Sequence, residues 1–227
     1  MFPAQVNFRL NMNSEFDKTN QILSLIKEAG SIVILPSKTA GIDSFSSAVG
    51  LYYMLQAEGK EVMILYPGMV PQDFGDVEDI NIADNSSARE LVVSVDYSNT
   101  NASKVNYSTE NDVLHFSLSP IERDFDLSKI KSEIKGYDFD LIITVGAPSR
   151  DSLGRLLEDV GGTFGGVDIL NIDNSERNQR FGNINVVDPS FDSTSLLVLN
   201  HAIKWDLEIS SKAAEALLKG ISKRKGI

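Results

Sequence analysis

The chain has 227 residues, 42% of them hydrophobic, which is enough for one large packed domain or two small ones. Its net charge of −11 argues against an extended nucleic-acid surface, although a local pocket for phosphate is compatible with it. The absence of cysteine excludes disulfides, thiolate catalysis and Cys-ligated zinc, and His115 and His201 are too few for a His-rich metal site. No apolar run approaches the ~20 residues of a membrane-spanning helix, and the N-terminus lacks the pattern of a signal peptide. We therefore expect a cytoplasmic protein that does not bind membranes.

The first third of the chain predicts a parallel βαβ unit. After an arm over residues 1–12, apolar residues at helical spacing predict a helix from about 14 to 29. An all-apolar strand over 31–36, a short loop and a helix over 43–57 follow, and a second apolar strand covers 61–66. Because a helix connects the two strands, we expect them to run parallel.

The rest of the chain continues to alternate between strands and helices. Further predicted strands cover residues 90–97, 112–118, 140–145, 167–173 and 184–187. Further predicted helices cover residues 126–135, 149–160, 193–205 and 211–219, before a flexible tail over 222–227. This alternation predicts a single α/β domain over residues 1–227, with a mostly parallel sheet covered by helices.

The stretch from 167 to 195 carries the most informative pattern. It opens with a buried strand that ends in Asp173, and the carboxyl end of a parallel strand is where ligands and catalytic groups collect. A polar loop follows, with Asn174, Ser175 and Asn178. Further on, the sequence Ser193-Thr194-Ser195 supplies the cap of the next predicted helix.

This stretch resembles the third motif of the DHH phosphoesterases, most closely in the subgroup that degrades very short RNA and 3′-phosphoadenosine 5′-phosphate. The residues in register with that motif are Asn171, Ile172, Asp173, Asn178, Phe181, Gly182, Asn185, Val187-Asp188-Pro189 and Ser193-Thr194-Ser195. The two histidines of the motif are replaced by Asn174 and Ser175, and its closing glutamate by Leu196. The resemblance implies a DHH-type N-terminal domain.

The resemblance extends over the whole chain but retains few of the family's metal-ligand and catalytic positions. Of seven such positions, two hold their carboxylate, namely Asp43 and Asp173. The other five hold Ser37, Gly41, Gly146, Asn174 and Ser175. In the fourth motif, Arg224 stands where the family has an aspartate, and an arginine repels a metal ion.

The lost positions bear directly on the chemistry that the resemblance implies. A DHH enzyme holds two divalent metals, usually manganese, which generate hydroxide and neutralise the phosphate during in-line attack. Anionic or imidazole ligands are needed for this, and Ser, Gly and Arg do not supply them. We therefore assign no catalytic residue, no metal site and no cofactor, with Mn²⁺ or Mg²⁺ on Asp43 and Asp173 as the alternative.

The remaining polar residues allow two interpretations each. Asp43 is also suited to cap its own helix together with Ser44, and Asp173 to fix its loop by accepting backbone N–H groups. The sequence Ser37-Lys38-Thr39 either contacts a phosphate or forms a plain loop, since it lacks the glycines of a P-loop. The candidate ligand-binding residues are Ser37, Lys38, Thr39, Asn174, Ser175, Asn178 and Arg224.

Three functions are compatible with this sequence. The first is a non-catalytic DHH relative that binds a nucleotide, a phosphate or a protein partner, and the second is a surviving metal-dependent phosphoesterase acting on short oligonucleotides or phosphorylated nucleotides. The third is an interaction subunit without a ligand. We expect the first, because the ligands are lost and these residues contain no counterpart of the family's second, substrate-holding domain.

Overall fold

The computed structural model describes residues 17–75, 79–84, 90–98, 103–121, 125–135, 138–157 and 166–225. The chain separates into two compact units, the first comprising residues 1–88 and 137–227 and the second residues 89–136. The expectation of one domain over 1–227 did not distinguish these units. The predicted arm over residues 1–12 lies outside the described residues.

The first unit is built on a six-stranded parallel sheet with the strand order β10-β9-β8-β1-β2-β3. Its strands are β1 (Ser31–Pro36), β2 (Glu61–Leu65), β3 (Ile82–Ala83), β8 (Leu141–Val145), β9 (Asp168–Asp173) and β10 (Ile184–Val187). The central strands β1 and β8 are mostly apolar and almost fully buried, as is typical of strands buried on both faces. The predicted α/β class with a parallel, helix-covered sheet is therefore confirmed.

Four helices of the described ranges contribute to the apolar cluster on one face of this sheet, and one of them is buried on most of its sides. They are α1 (residues 17–28), α2 (Gly41–Ala57), α3 (Thr194–Lys204) and α4 (Ser211–Lys225). Helix α2 packs against α3 and α4 as well as the sheet. A Cβ placed on Gly50 of α2 would lie 2.6 Å from the Leu217 side chain of α4, so glycine permits this close approach. The largest apolar cluster of the protein includes this helix.

A smaller apolar cluster covers the opposite face of the sheet. It combines alternate residues of the central strands, such as Val33 and Ile142, with Leu153 and Leu157 from the segment after β8. A continuous helix was predicted over residues 149–160, but the structure has a 3-10 helix at Arg150–Leu153 that ends at Gly154, where φ is +61°. That conformation is costly for any residue with a Cβ and interrupts a helix.

The C-terminal helix is longer than expected. Helix α4 continues to Lys225, so the tail predicted over 222–227 is helical over most of its length, and residues 226–227 lie outside the described part. None of the helices in the described ranges has the length and apolar character that crossing a membrane requires.

The second unit consists of two antiparallel ribbons. Strand β4 (Glu90–Val95) pairs with β7 (Ile130–Lys135), and β5 (Lys104–Glu110) pairs with β6 (Val113–Ser119). The prediction of a helix over residues 126–135 is wrong, because a short 3-10 turn leads there directly into β7. Strand β5 was not predicted at all. Pairing with another strand decides the conformation in both cases, β7 with the distant β4 and β5 with the neighbouring β6. The local spacing of apolar residues does not reveal such pairing.

Candidate functional site

The carboxyl edge of the sheet contains a topological switch point. The chain leads from β1 towards β2 on one side and from β8 towards β9 on the other, so the loops that follow β1 and β8 diverge. In open parallel sheets such a point forms the crevice in which ligands bind. The candidate residues 37–39, Asp43 and 173–178 all lie at or just beyond this edge.

Asp43 is the third residue of α2, and its carboxylate caps a different helix. Its Oδ2 accepts a hydrogen bond from the Thr194 backbone N–H at 2.8 Å, and its Oδ1 accepts from the Ser195 backbone N–H at 3.0 Å and the Ser195 hydroxyl at 2.7 Å. These backbone donors belong to the first turn of α3, whose positive dipole end favours a carboxylate. Asp43 therefore joins two helices that are 151 residues apart in sequence.

The prediction that Asp43 and Ser44 cap their own helix is wrong. The N-cap residue of α2 is Ala40, which makes no side-chain capping bond. The Ser44 hydroxyl donates instead to the Ser37 carbonyl at 2.6 Å. The predicted cap of α3 is confirmed, because the Ser193 side chain accepts from the Leu196 N–H at 3.1 Å.

Helix α4 closes the surroundings of Asp43 from a third side. A Cβ on Gly220 of this helix would lie 2.1 Å from the Ser195 hydroxyl oxygen and 3.0 Å from Oδ1 of Asp43. The Ser47 and Ser195 hydroxyl oxygens are 2.9 Å apart in the same junction. Because Asp43 is only 4% exposed, its carboxylate serves the packing of three helices rather than an open site.

Asp173 fixes the loop that follows β9. Its Oδ2 accepts a hydrogen bond from the Asn178 side-chain amide at 2.7 Å, and the same amide nitrogen donates to the Ala147 carbonyl at 2.9 Å. The Asn178 side-chain oxygen in turn accepts from the Arg180 backbone N–H at 2.7 Å. Asp173 therefore has the loop-fixing role that was considered for it, with a side-chain amide among its donors.

Two further asparagines, for which no role was predicted, extend this network. Asn171, buried in the middle of β9, accepts from the Thr144 hydroxyl at 3.0 Å and donates towards the Asn185 side-chain oxygen at 3.3 Å. Asn185 accepts from the Gly182 N–H at 3.1 Å. The signal was present in the sequence, since a polar amide inside a buried strand requires hydrogen-bond partners.

The two residues that stand at the histidine positions of the motif are held in loop hydrogen bonds. The Asn174 amide nitrogen donates to the Phe191 carbonyl at 2.9 Å, and its oxygen accepts from the Thr194 hydroxyl at 2.9 Å. The Ser175 hydroxyl accepts from the Arg177 N–H at 3.2 Å. Both side chains thus have local partners.

The loop after β1 leads to a cavity of about 510 Å³. Its lining residues are Pro36, Lys38, Thr39, Pro67, Asp84, Asp151, Ser152, Leu153, Gly154, Arg155 and Leu156. Ser37 itself is fully buried, with its hydroxyl 2.8 Å from that of Thr39. The structure thus assigns Lys38 and Thr39 to a pocket, together with residues 151–156, which the sequence analysis did not identify. The side chain of Arg224 lies outside the described residues.

The loops after β8 and β9 are rich in arginine. They contain four of the eight arginines of a chain with net charge −11, namely Arg150, Arg155, Arg177 and Arg180. All four are exposed, and the Arg150 guanidinium lies over the Phe181 ring at 5.9 Å from its centroid. The carboxyl edge therefore offers exposed guanidinium groups, which can bind an anion through parallel hydrogen bonds.

The residues at this edge do not fit a pair of metal ions. Within the described ranges, no three His, Cys, Asp or Glu side chains lie close enough together to hold one. The Asp43 carboxylate already accepts three hydrogen bonds from α3. At Gly146, where φ is +62°, a Cβ would lie 2.9 Å from the Cβ atoms of Ala40 and Ser44, so a ligand side chain has no space there.

Comparison with known proteins supports the fold. No family model matches the chain. It is similar to the crystal structure of an exopolyphosphatase-related protein from Bacteroides fragilis, with a TM-score of 0.60 and 17% sequence identity over 92% of this chain and 50% of that one. The chain thus spans about half the length of that protein. This likeness supports the α/β fold described above.

Proposed function

We propose that this protein is a degenerate DHH-type phosphoesterase that binds a nucleotide or another phosphate-bearing small molecule without hydrolysing it. The observation that supports the proposal is that the Asp43 carboxylate accepts three hydrogen bonds from the N-terminus of α3. Hydrolysis by two metals requires anionic ligands that are free to coordinate them. At this edge one carboxylate is engaged in packing, and the side chains of Ala40 and Ser44 leave no space for another at Gly146.

The cavity after β1 supports binding of an anionic ligand that also carries hydroxyl or amino groups. Lys38 and Arg155 supply positive charge, and an arginine can bind phosphate oxygens through two parallel hydrogen bonds. Asp84 and Asp151 line the same cavity and can accept hydrogen bonds only from donors such as ribose hydroxyls or base amino groups. This mixture favours a nucleotide over bare polyphosphate, whose charges the two aspartates would repel.

A calorimetric titration tests this proposal directly. We expect adenosine 5′-monophosphate or 3′-phosphoadenosine 5′-phosphate to bind without added metal, and Arg155→Ala and Lys38→Ala to weaken that binding about tenfold each, as expected for the loss of a charge-assisted hydrogen bond. Lys27→Ala is the matched control, because it removes the same charge from an exposed position on α1. Equal weakening by the control, or no binding of either nucleotide, would contradict the proposal.

A second experiment separates binding from turnover. The protein is incubated with Mn²⁺ and a dinucleotide, and products are followed by chromatography. We expect no release of mononucleotides and no binding of two Mn²⁺ per chain at micromolar concentration. Robust release that is abolished by Asp173→Ala would establish the surviving metal-dependent phosphoesterase instead.

A further inference from the structure

The second unit exposes most of the large apolar side chains that the protein leaves in solvent. Twelve of the sixteen exposed large hydrophobic residues in the described part of the chain lie between residues 89 and 136. None of the described residues of this unit belongs to the buried apolar core. A two-stranded ribbon is at best marginally stable by itself and requires something to pack against.

The hairpin formed by β5 and β6 presents a regular apolar face. The cross-strand pairs on this face are Val105 with Leu118, Tyr107 with Phe116, and Thr109 with Leu114. The opposite face carries the pairs Lys104 with Ser119, Asn106 with Ser117, Ser108 with His115, and Glu110 with Val113. Since side chains alternate along each strand, every charged residue of these two strands lies on the second face.

The turn of the hairpin fixes this division between the faces. Asn111 and Asp112 both have positive φ, at 50° and 62°, and connect Glu110 with its partner Val113. A two-residue turn with two left-handed residues suits the twist of a β-hairpin and sets its register. A slip by one residue, which would exchange the faces, is thereby disfavoured.

We propose that this apolar face, called here the hairpin face (Val105, Tyr107, Thr109, Leu114, Phe116 and Leu118), binds the same face of a second copy of this chain. Tyr107 and Phe116 lie opposite each other near the middle of the face and are 78% and 63% exposed. A two-fold axis that lies between the two faces and runs parallel to the strands places Tyr107 of one copy against Phe116 of the other, and each contact of this kind occurs twice. The dimer is then a small sandwich of two ribbons.

Charge and area are both compatible with a weak contact between two copies. Two chains of net charge −11 repel each other, but no charge lies on the hairpin face, so the contact brings no like charges together there. Two aromatic and three aliphatic side chains offer on the order of 500 Å² per copy, compared with ~800 Å² per partner in a standard stable interface. We therefore expect a reversible dimer with a dissociation constant in the micromolar range.

Sedimentation velocity over a range of protein concentrations tests the proposal. The unmodified chain is expected to change from monomer to dimer across micromolar concentrations, and Phe116→Ser to raise the dissociation constant at least tenfold. Val113→Ser is the matched control, because Val113 is 51% exposed in the same hairpin but lies on the opposite face. A chain that stays monomeric throughout, or a dimer that both variants weaken equally, would overturn the proposal.

Cross-linking provides a test that does not depend on disrupting the hairpin. Because the chain has no cysteine, a single introduced cysteine is its only thiol. Thr109→Cys places it on the hairpin face and Ser108→Cys on the opposite face, at neighbouring positions of β5. With a short bifunctional maleimide, dimers are expected from the first variant and not from the second. Equal cross-linking of both, or of neither, would show that another surface or no surface joins the copies.

Discussion

Leu170 and Leu91 both lie in β-strands, yet Leu170 of the first unit is fully buried and Leu91 of the second is 69% exposed. Strand β9 has its cover within the same unit, since the large apolar cluster includes Leu170 together with residues of α2 and α3. Among the described residues, strand β4 pairs with β7 alone, and a ribbon of two strands leaves its apolar face in solvent. An apolar pattern thus identifies which face seeks burial, whereas the surrounding elements determine whether the chain itself buries it.

The largest expected effect is that of truncating a buried leucine in the first unit, and the same truncation in the second unit provides the comparison. Leu170→Ala should lower the free energy of unfolding by about 4 kcal/mol, because it opens a cavity in a closely packed core. Leu91→Ala should change it by no more than about 0.5 kcal/mol, as is usual for an exposed side chain. Chemical denaturation at low protein concentration measures both values. Similar losses in the two variants would show that β4 is buried in solution.

The second prediction concerns the buried carboxylate of the first unit. Asp43→Ala leaves the first N–H groups of α3 without an acceptor and should cost about 3 kcal/mol. Asp43→Asn keeps the shape and one acceptor oxygen and should cost about half as much. If thermal unfolding of both variants matched the unmodified protein, Asp43 would not be a packing residue, and a ligand role for it would regain support.

The third prediction tests the space around Gly146. Gly146→Ala should cost about 2 kcal/mol, because the new Cβ meets Ala40 and Ser44 in addition to the strain of positive φ. Gly59→Ala is the control, since φ there is also positive, at +74°, but no atom lies within 4 Å, and we expect it to cost about 1 kcal/mol. Gly146→Asp should be destabilised at least as much as Gly146→Ala and gain no stability from Mn²⁺. Stabilisation of that variant by Mn²⁺ would contradict this account of the site.

The smallest effect is expected at the amino edge of the sheet, where Asp140 is exposed. The backbone N–H groups of Ser31 and Gly30 hold the pKa of Asp140 below its usual value. A lowered pKa adds stability above the unfolded pKa of about 3.9, and this contribution disappears as the pH falls through the folded value.

Asp140→Asn should therefore cost about 1 kcal/mol at pH 7, after allowance for solvent screening, and this cost should disappear as the pH falls through the lowered pKa of Asp140. Unfolding curves of both proteins at several pH values measure the difference, with the exposed Asp192→Asn as the control. A cost that stayed constant down to pH 2 would show that the charge of Asp140 is not what stabilises this edge.

The sequence predicted the first unit well because its signals are local. The strands around 31–36 and 141–145 are mostly apolar and can be recognised without knowing which strands they pair with. The cap at Ser193 depends only on the first turn of its own helix. The role of Asp43 was not predictable in this way, because its hydrogen-bond donors are 151 residues away. The position of Asp43 in the sequence predicted that it caps α2, whereas in the folded chain its carboxylate accepts hydrogen bonds from α3.

The second unit illustrates a different limit. Ile130 and Ile134 suit both a helix, at a spacing of four, and one face of a strand, at an even spacing, and pairing with β4 selected the strand. Strand β5 alternates Val105, Tyr107 and Thr109 in a polar segment, and this pattern becomes informative only together with the Asn111-Asp112 turn. The turn pair lacks the glycine of the commonest two-residue hairpins, so it was only a weak signal in the sequence.

The position of β1 between β2 and β8 has a consequence for the order in which the protein folds during synthesis. When residues 31–65 have left the ribosome, β1 can pair with β2, but its other edge stays open until residues 141–145 have been made. The carboxylate of Asp43 likewise receives its donors only after Ser195 has been added. A nascent chain therefore carries an open strand edge through more than a third of its translation, the state in which β-proteins are most prone to pair with a neighbour.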